Sequence, residues 1–73
     1  MKQDYELILL AAFRYALGRK TYMVSAVVDY LWVQWYDISG KLRIQIQKEI
    51  KEAIKGGNAG MDMDVKQWER LLG

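Results

Sequence analysis

Two residue types that this sequence lacks limit the chemistry it could perform. Its 73 residues include no histidine and no cysteine. The commonest general base and metal ligand is therefore missing, as is the thiolate that serves as a nucleophile or as a zinc ligand. We expect a protein that is not an enzyme and that needs neither a cofactor nor a metal ion.

The carboxylates are the remaining candidates for chemistry. Asp62 and Asp64 with Asn58 resemble part of a calcium loop, but the spacing lacks the fixed glycine and the closing glutamate of such a loop. We interpret both aspartates as helix-capping residues. Asp29 is the acidic residue that lies within an apolar segment, which makes it the candidate for general acid or base catalysis. A structural role, in an ion pair with Arg14 or a hydrogen bond with a tyrosine, is the favoured interpretation.

Aromatic and basic side chains alternate near the expected end of the first helix. The candidates for partner binding are Tyr15, Arg19, Lys20 and Tyr22. Tyrosine and arginine dominate the energetics of protein interfaces, although the same mixture can stack bases and neutralise phosphates. The remaining alternative is that Phe13 and Tyr22 belong to the core and the basic groups are solvated. We predict that this cluster binds a protein, with nucleic acid as the less favoured partner.

Helices are the elements that must position these side chains, because apolar residues recur at helical spacing and no proline interrupts them. The predicted fold class is all-α, a small bundle of three to four helices at about residues 4–17, 22–36, 40–55 and 64–72. Asp4 is the expected N-cap of the first helix, and Asp64 that of the last. The expected core residues are Leu9, Phe13, Ala16, Leu17, Val24, Val27, Val28, Leu31, Trp35, Leu42, Ile46, Ile50, Ala53, Ile54, Val65, Trp68, Leu71 and Leu72.

Two segments allow a second interpretation. The alternation of apolar and polar residues at 42–47 would also suit a strand, but the charged residues that follow favour a helix. The segment 22–36 is apolar on both faces, yet it is too short to span a bilayer and contains Asp29. We predict one domain over residues 1–73 with a glycine-rich link at 56–60, no membrane association, and a homo-oligomer as a candidate state.

The stretch FRYALGRKTY at residues 13–22, followed by Val27, Val28 and Asp29, resembles a segment of small proteins encoded by phages and prophages, a group with no established activity. The resemblance covers about the first half of the chain. It implies a location in the cytoplasm of a bacterial host and an accessory function, such as inhibition of a host defence system like CRISPR.

The leading hypothesis is a non-enzymatic, phage-type accessory protein that binds a host or phage protein. The acidic residues Asp4 and Glu6 stand where a signal peptide would need positive charge, which also favours the cytoplasm. A small nucleic-acid-binding module and a structural oligomerisation unit are the alternatives.

Overall fold

Four α-helices follow one another along the chain. The structure, a computed structural model, describes residues 2–17, 23–58 and 62–73. Its helices are α1 (Lys2–Ala16), α2 (Met23–Gln34), α3 (Gly40–Lys55) and α4 (Asp62–Glu69). The predicted all-α fold is confirmed, and the ambiguous segment 42–47 is helical. None of the helices in the described ranges combines the length and apolarity needed to cross a membrane.

The first and last helices begin two residues earlier than predicted. α1 starts at Lys2, so Asp4 lies in its first turn, where a carboxylate interacts favourably with the helix dipole, and is not the N-cap. α4 starts at Asp62, so Asp64 is likewise inside the helix. Lys2 and Gln3 have good helix propensity, so α1 extends over them to its start at Lys2.

α2 ends at Gln34, two residues before the predicted end, and a turn connects it to α3. The N–H of Ile38 donates to the Gln34 carbonyl at 3.1 Å. The Arg43 guanidinium donates to the carbonyls of Trp35 and Ile38, each at 2.8 Å. Ser39 then caps α3 by accepting a hydrogen bond from the Leu42 N–H at 3.2 Å. The bounds of α3 are those predicted from the sequence.

The helices pack as a ring around one core. α1 packs against α2 and α3, and α4 packs against the same two helices, so α2 and α3 lie diagonally opposite each other. Buried residues recur at helical spacing, one stripe on each helix. They are Leu9, Phe13, Ala16, Val24, Val28, Leu31, Trp35, Ile38, Leu42, Ile46, Ile50, Trp68 and Leu71. Ile38, which lies in the turn, is the member that the periodicity did not predict.

Trp68 joins α4 to the opposite side of the ring. Its side chain is fully buried, and its ring meets Phe13 of α1 edge to face, with the ring centroids 5.4 Å apart. This geometry adds about 0.5–1.5 kcal/mol to the free energy of burying two aromatic rings. The Trp68 Nε1 is buried and has no hydrogen-bond partner in the described part of the chain.

Candidate binding surfaces

Tyr15 is the only one of the four predicted partner-binding residues that lies in the described part of the chain. Its side chain is 55% exposed on α1. Arg19, Lys20 and Tyr22 lie outside the described residues. Tyr15 is therefore the starting point for defining a surface.

Tyr15 belongs to a row of exposed, uncharged side chains along α1, and a second row lies beside it on α2. The α1 row has the spacing i, i+3, i+7, i+10, which places its members on one flank of the helix. The two rows meet where the hydroxyls of Tyr5 and Tyr30 share a hydrogen bond. We call this surface the α1–α2 face, and its residues are Tyr5, Ile8, Ala12, Tyr15, Ala26, Tyr30 and Val33.

The α1–α2 face exposes one large aliphatic side chain on each helix. Ile8 is 69% exposed and Val33 is 72% exposed, although both are large hydrophobic residues. The seven residues of this face are uncharged, and acidic side chains border it: Asp29, 59% exposed, lies one turn from Ala26 and Val33 on α2, and Asp37 lies close enough to Tyr5 to help raise its pKa. The presence of three tyrosines matches the composition of protein interface centres.

The pKa of the Tyr5 hydroxyl reflects its contact with Tyr30. The hydrogen bond with Tyr30, with a smaller contribution from partial desolvation, raises the pKa of Tyr5 to about 12. The neutral phenol is therefore the form that holds the two helices together at this point, because a phenolate at Tyr5 would weaken the contact with Tyr30.

The other flank of α1 is bonded to α3. The Glu6 carboxylate accepts from the Ser39 backbone N–H at 2.9 Å and from the Ser39 hydroxyl at 2.7 Å. The bond from the hydroxyl orients the oxygen that accepts the Leu42 N–H. Glu6 therefore supports the N-cap of α3 from 33 residues away.

A bidentate ion pair lies further along the same flank. Arg14 donates from Nε and Nη2 to the two carboxylate oxygens of Glu49, at 2.9 and 2.7 Å. Gln45 also donates to Glu49, at 2.6 Å. The hydrogen bonds from Arg14, and then from Gln45, hold the pKa of Glu49 below its ordinary value, although partial burial opposes them.

The predicted ion pair between Arg14 and Asp29 is wrong. Arg14 pairs with Glu49, and Asp29 pairs with Arg70 of the chain after α4 at 2.9 Å. Asp29 points away from α1, and its side chain is 59% exposed rather than partly buried. The apolar sequence around Asp29 led to this error, because two of its large neighbours, Tyr30 and Trp32, are themselves half exposed.

An open groove of about 410 Å³ lies between α1 and α3. Its apolar part is lined by Leu7, Leu10 and Leu42. Its charged groups on the α1 side, Glu6 and Arg14, already bond to α3. We therefore interpret the groove as the seam between the two helices.

In the ranges that the structure describes, no three acidic side chains come together in a way that could hold a metal ion.

The sequence contained a signal for the α1–α2 face that the periodicity analysis missed. Ile8 and Ala12 each precede a core residue, Leu9 and Phe13, so the apolar stripe of α1 is wider than its buried part. A stripe that is wider than the core can cover indicates an additional surface.

Comparison of the chain with protein-family models, with curated proteins and with solved structures finds no match.

Proposed function

We propose that this chain is a non-enzymatic binding protein that uses the α1–α2 face to bind a protein partner. The observation that supports the proposal is the exposure of Ile8 and Val33 on the same face as three tyrosines. Enrichment in aromatic residues is typical of the cores of protein interfaces. Tyrosine provides large contact area and a polar hydroxyl at a small loss of side-chain entropy.

The biological setting of the proposal is that of a phage-encoded accessory protein in the cytoplasm of a bacterial host. Its support is the resemblance of residues 13–22 to small phage and prophage proteins. Within that setting, the partner is a host or phage protein, and inhibition of a defence system such as CRISPR is the proposed outcome of binding. A host that carries an active CRISPR system should then allow more plaques of a targeted phage when it expresses this chain, and unchanged plaque numbers would refute the defence role.

Two isoleucines of nearly equal exposure allow a matched test of the α1–α2 face. Ile8 lies on the face and is 69% exposed, whereas Ile44 lies on α3 and is 67% exposed. A glutamate at either position stays in water, so both variants should keep the wild-type stability within about 0.5 kcal/mol. A charge at the centre of an apolar interface is desolvated on binding, so only Ile8→Glu should lose the partner.

The experiment captures proteins from nuclease-treated bacterial lysate with immobilised wild type, Ile8→Glu and Ile44→Glu, identifies them by mass spectrometry and measures Kd with the purified partner. We expect Ile8→Glu to weaken the Kd at least about 10-fold, as replacement of an interface residue that contributes more than 1.4 kcal/mol would. Equal affinities of the two variants would refute this face.

Light scattering distinguishes the oligomerisation alternative. If the wild type is a dimer at high micromolar concentration and Ile8→Glu is a monomer, the face binds a second copy of the chain, and the proposal of a separate partner fails. A monomeric wild type together with loss of capture by Ile8→Glu supports the proposal.

A further inference from the structure

A line of lysines follows the outer surface of α3. Lys41, Lys48 and Lys55 recur every seven residues, and Lys51 lies between the last two. All four side chains are exposed. Because an α-helix rises 1.5 Å per residue, the line extends over about 21 Å. We call these four residues the lysine ridge.

The charge of the molecule is concentrated on this helix. α3 contains five basic and two acidic residues, which gives it a net charge of +3, against +2 for the whole chain. Glu49 is paired with Arg14, and Arg43 is engaged with the carbonyls at the end of α2. The exposed charged groups of α3 are therefore the lysine ridge and a single acid, Glu52.

The lysine ridge contributes little to holding the described part of the chain together, although Lys48 attracts the neighbouring Glu49 carboxylate. None of its ammonium groups forms a hydrogen bond or a salt bridge with the part of the chain that the structure describes. Lys48 and Glu52 have the i, i+4 spacing of an ion pair, but they do not form one. Four ammonium groups of like sign along one helix repel each other, and a polyanion bound along the line would relieve that repulsion.

We propose that the lysine ridge binds the phosphate backbone of a nucleic acid without sequence preference. A duplex presents one negative charge per about 1.7 Å of its axis, so the ridge can lie opposite several phosphates at once. Lysine binds phosphate as a point charge and reads no base pattern in this way. The proposal is independent of the α1–α2 face, since α3 and α2 lie diagonally opposite each other.

Two other polyanions fit the lysine ridge less well. An anionic membrane is bound by a helix with a broad apolar side that enters the bilayer interface. The apolar side of α3 is buried in the core through Leu42, Ile46 and Ile50, which leaves only Ile44 among the lysines. An acidic protein is the weaker alternative because lysine is depleted at protein interfaces.

Salt dependence measures the number of phosphates that the ridge contacts. Binding of a fluorescein-labelled duplex of about 20 base pairs is followed by anisotropy between about 50 and 200 mM NaCl, and each contact contributes about −0.9 to the slope of log K against log salt. The wild type should give a slope near −3.6 and lose roughly 150-fold in affinity over this range. Lys48→Gln/Lys51→Gln should give a slope near −1.8 and lose only about 12-fold.

Lys66 provides the matched control, because it is an exposed lysine on a different helix, α4. Lys48→Gln and Lys66→Gln lower the net charge equally, but only Lys48→Gln should reduce the slope, by about 0.9. Equal reductions by both variants would show general electrostatic attraction and overturn the proposal. An absence of DNA binding at about 50 mM salt would overturn it too, as would binding of poly-glutamate or of phosphatidylserine vesicles as tight as that of the duplex.

The two proposals fail separately. Ile8→Glu should bind the duplex with the wild-type slope, and Lys48→Gln/Lys51→Gln should capture the protein partner from nuclease-treated lysate as the wild type does. Loss of duplex binding in Ile8→Glu would refute the assignment of the site to α3.

Discussion

The two flanks of α1 differ in how they meet their neighbouring helices. Towards α3, the charged groups form specific contacts: Glu6 accepts a hydrogen bond from Ser39, and Arg14 forms an ion pair with Glu49. Towards α2, a hydrogen bond joins the hydroxyls of Tyr5 and Tyr30, and the apolar side chains near it are exposed to water. The α3 flank is therefore held by specific polar contacts, and the α2 flank is the one that we propose for partner binding.

The largest expected effect on stability is that of Glu6→Ala. This change removes two hydrogen bonds to a charged acceptor and leaves the hydroxyl that caps α3 without its orienting partner. We expect a loss of about 2 kcal/mol in the free energy of unfolding, measured by urea denaturation. The control is Asp4→Ala, an exposed acid two residues earlier, which should cost less than about 1 kcal/mol. Equal losses would show that the α3 flank is not held by Glu6.

A smaller effect is expected for Glu49→Gln. Arg14 is half exposed, so solvent weakens the pair, and we expect a loss of about 0.5–1 kcal/mol at neutral pH. Because the pKa of Glu49 is lowered in the folded state, its stabilising contribution is complete above its ordinary value of 4.5 and is lost as the pH falls through the lower folded value. Urea denaturation of the two proteins should therefore converge in acid. A difference that stays constant from pH 7 into acid would contradict this ion pair.

The smallest effect at neutral pH is expected on the α2 flank, for Tyr30→Phe. The folded protein favours the neutral Tyr5 phenol, so the contribution of this contact is present below about pH 10 and is lost as the pH rises through the Tyr5 pKa of about 12. Absorbance titration of the wild type should show one tyrosine ionising near pH 12. In Tyr30→Phe that step should move towards the ordinary value of 10.0. If every tyrosine of the wild type ionises well below pH 12, the hydroxyls of Tyr5 and Tyr30 do not interact.

The sequence predicted the helices well because their signals are local. The spacing of Leu42, Ile46 and Ile50 identifies the buried side of α3, and the Ser39 cap and Gly56 mark its ends. Burial of Trp68 was expected from the amphipathic pattern of the last segment and is observed. These features depend on residues three or four positions apart, which is the range that helical periodicity reports.

The surfaces were predicted less well because they depend on contacts between distant residues. Periodicity shows which side of a helix is buried, but not which neighbour each flank meets, so Arg14 was assigned to Asp29 rather than to Glu49, 35 residues away. Of the predicted partner-binding residues, Tyr15 is exposed and the other three lie outside the described residues, so their role in binding stays a prediction. The heptad spacing of the lysines on α3 is visible in the sequence, but their lack of hydrogen-bond and salt-bridge partners among the described residues is a property of the fold.

The buried indole of Trp68 has a consequence for spectroscopy. Its N–H lies away from solvent, has no acceptor among the described residues, and belongs to the helix that meets α1 across the ring. Proton exchange at this nitrogen therefore requires the bundle to open around α4, so that exchange follows the opening equilibrium rather than local solvent access. A single indole resonance, distinct from that of the half-exposed Trp32, thus records when the four helices separate.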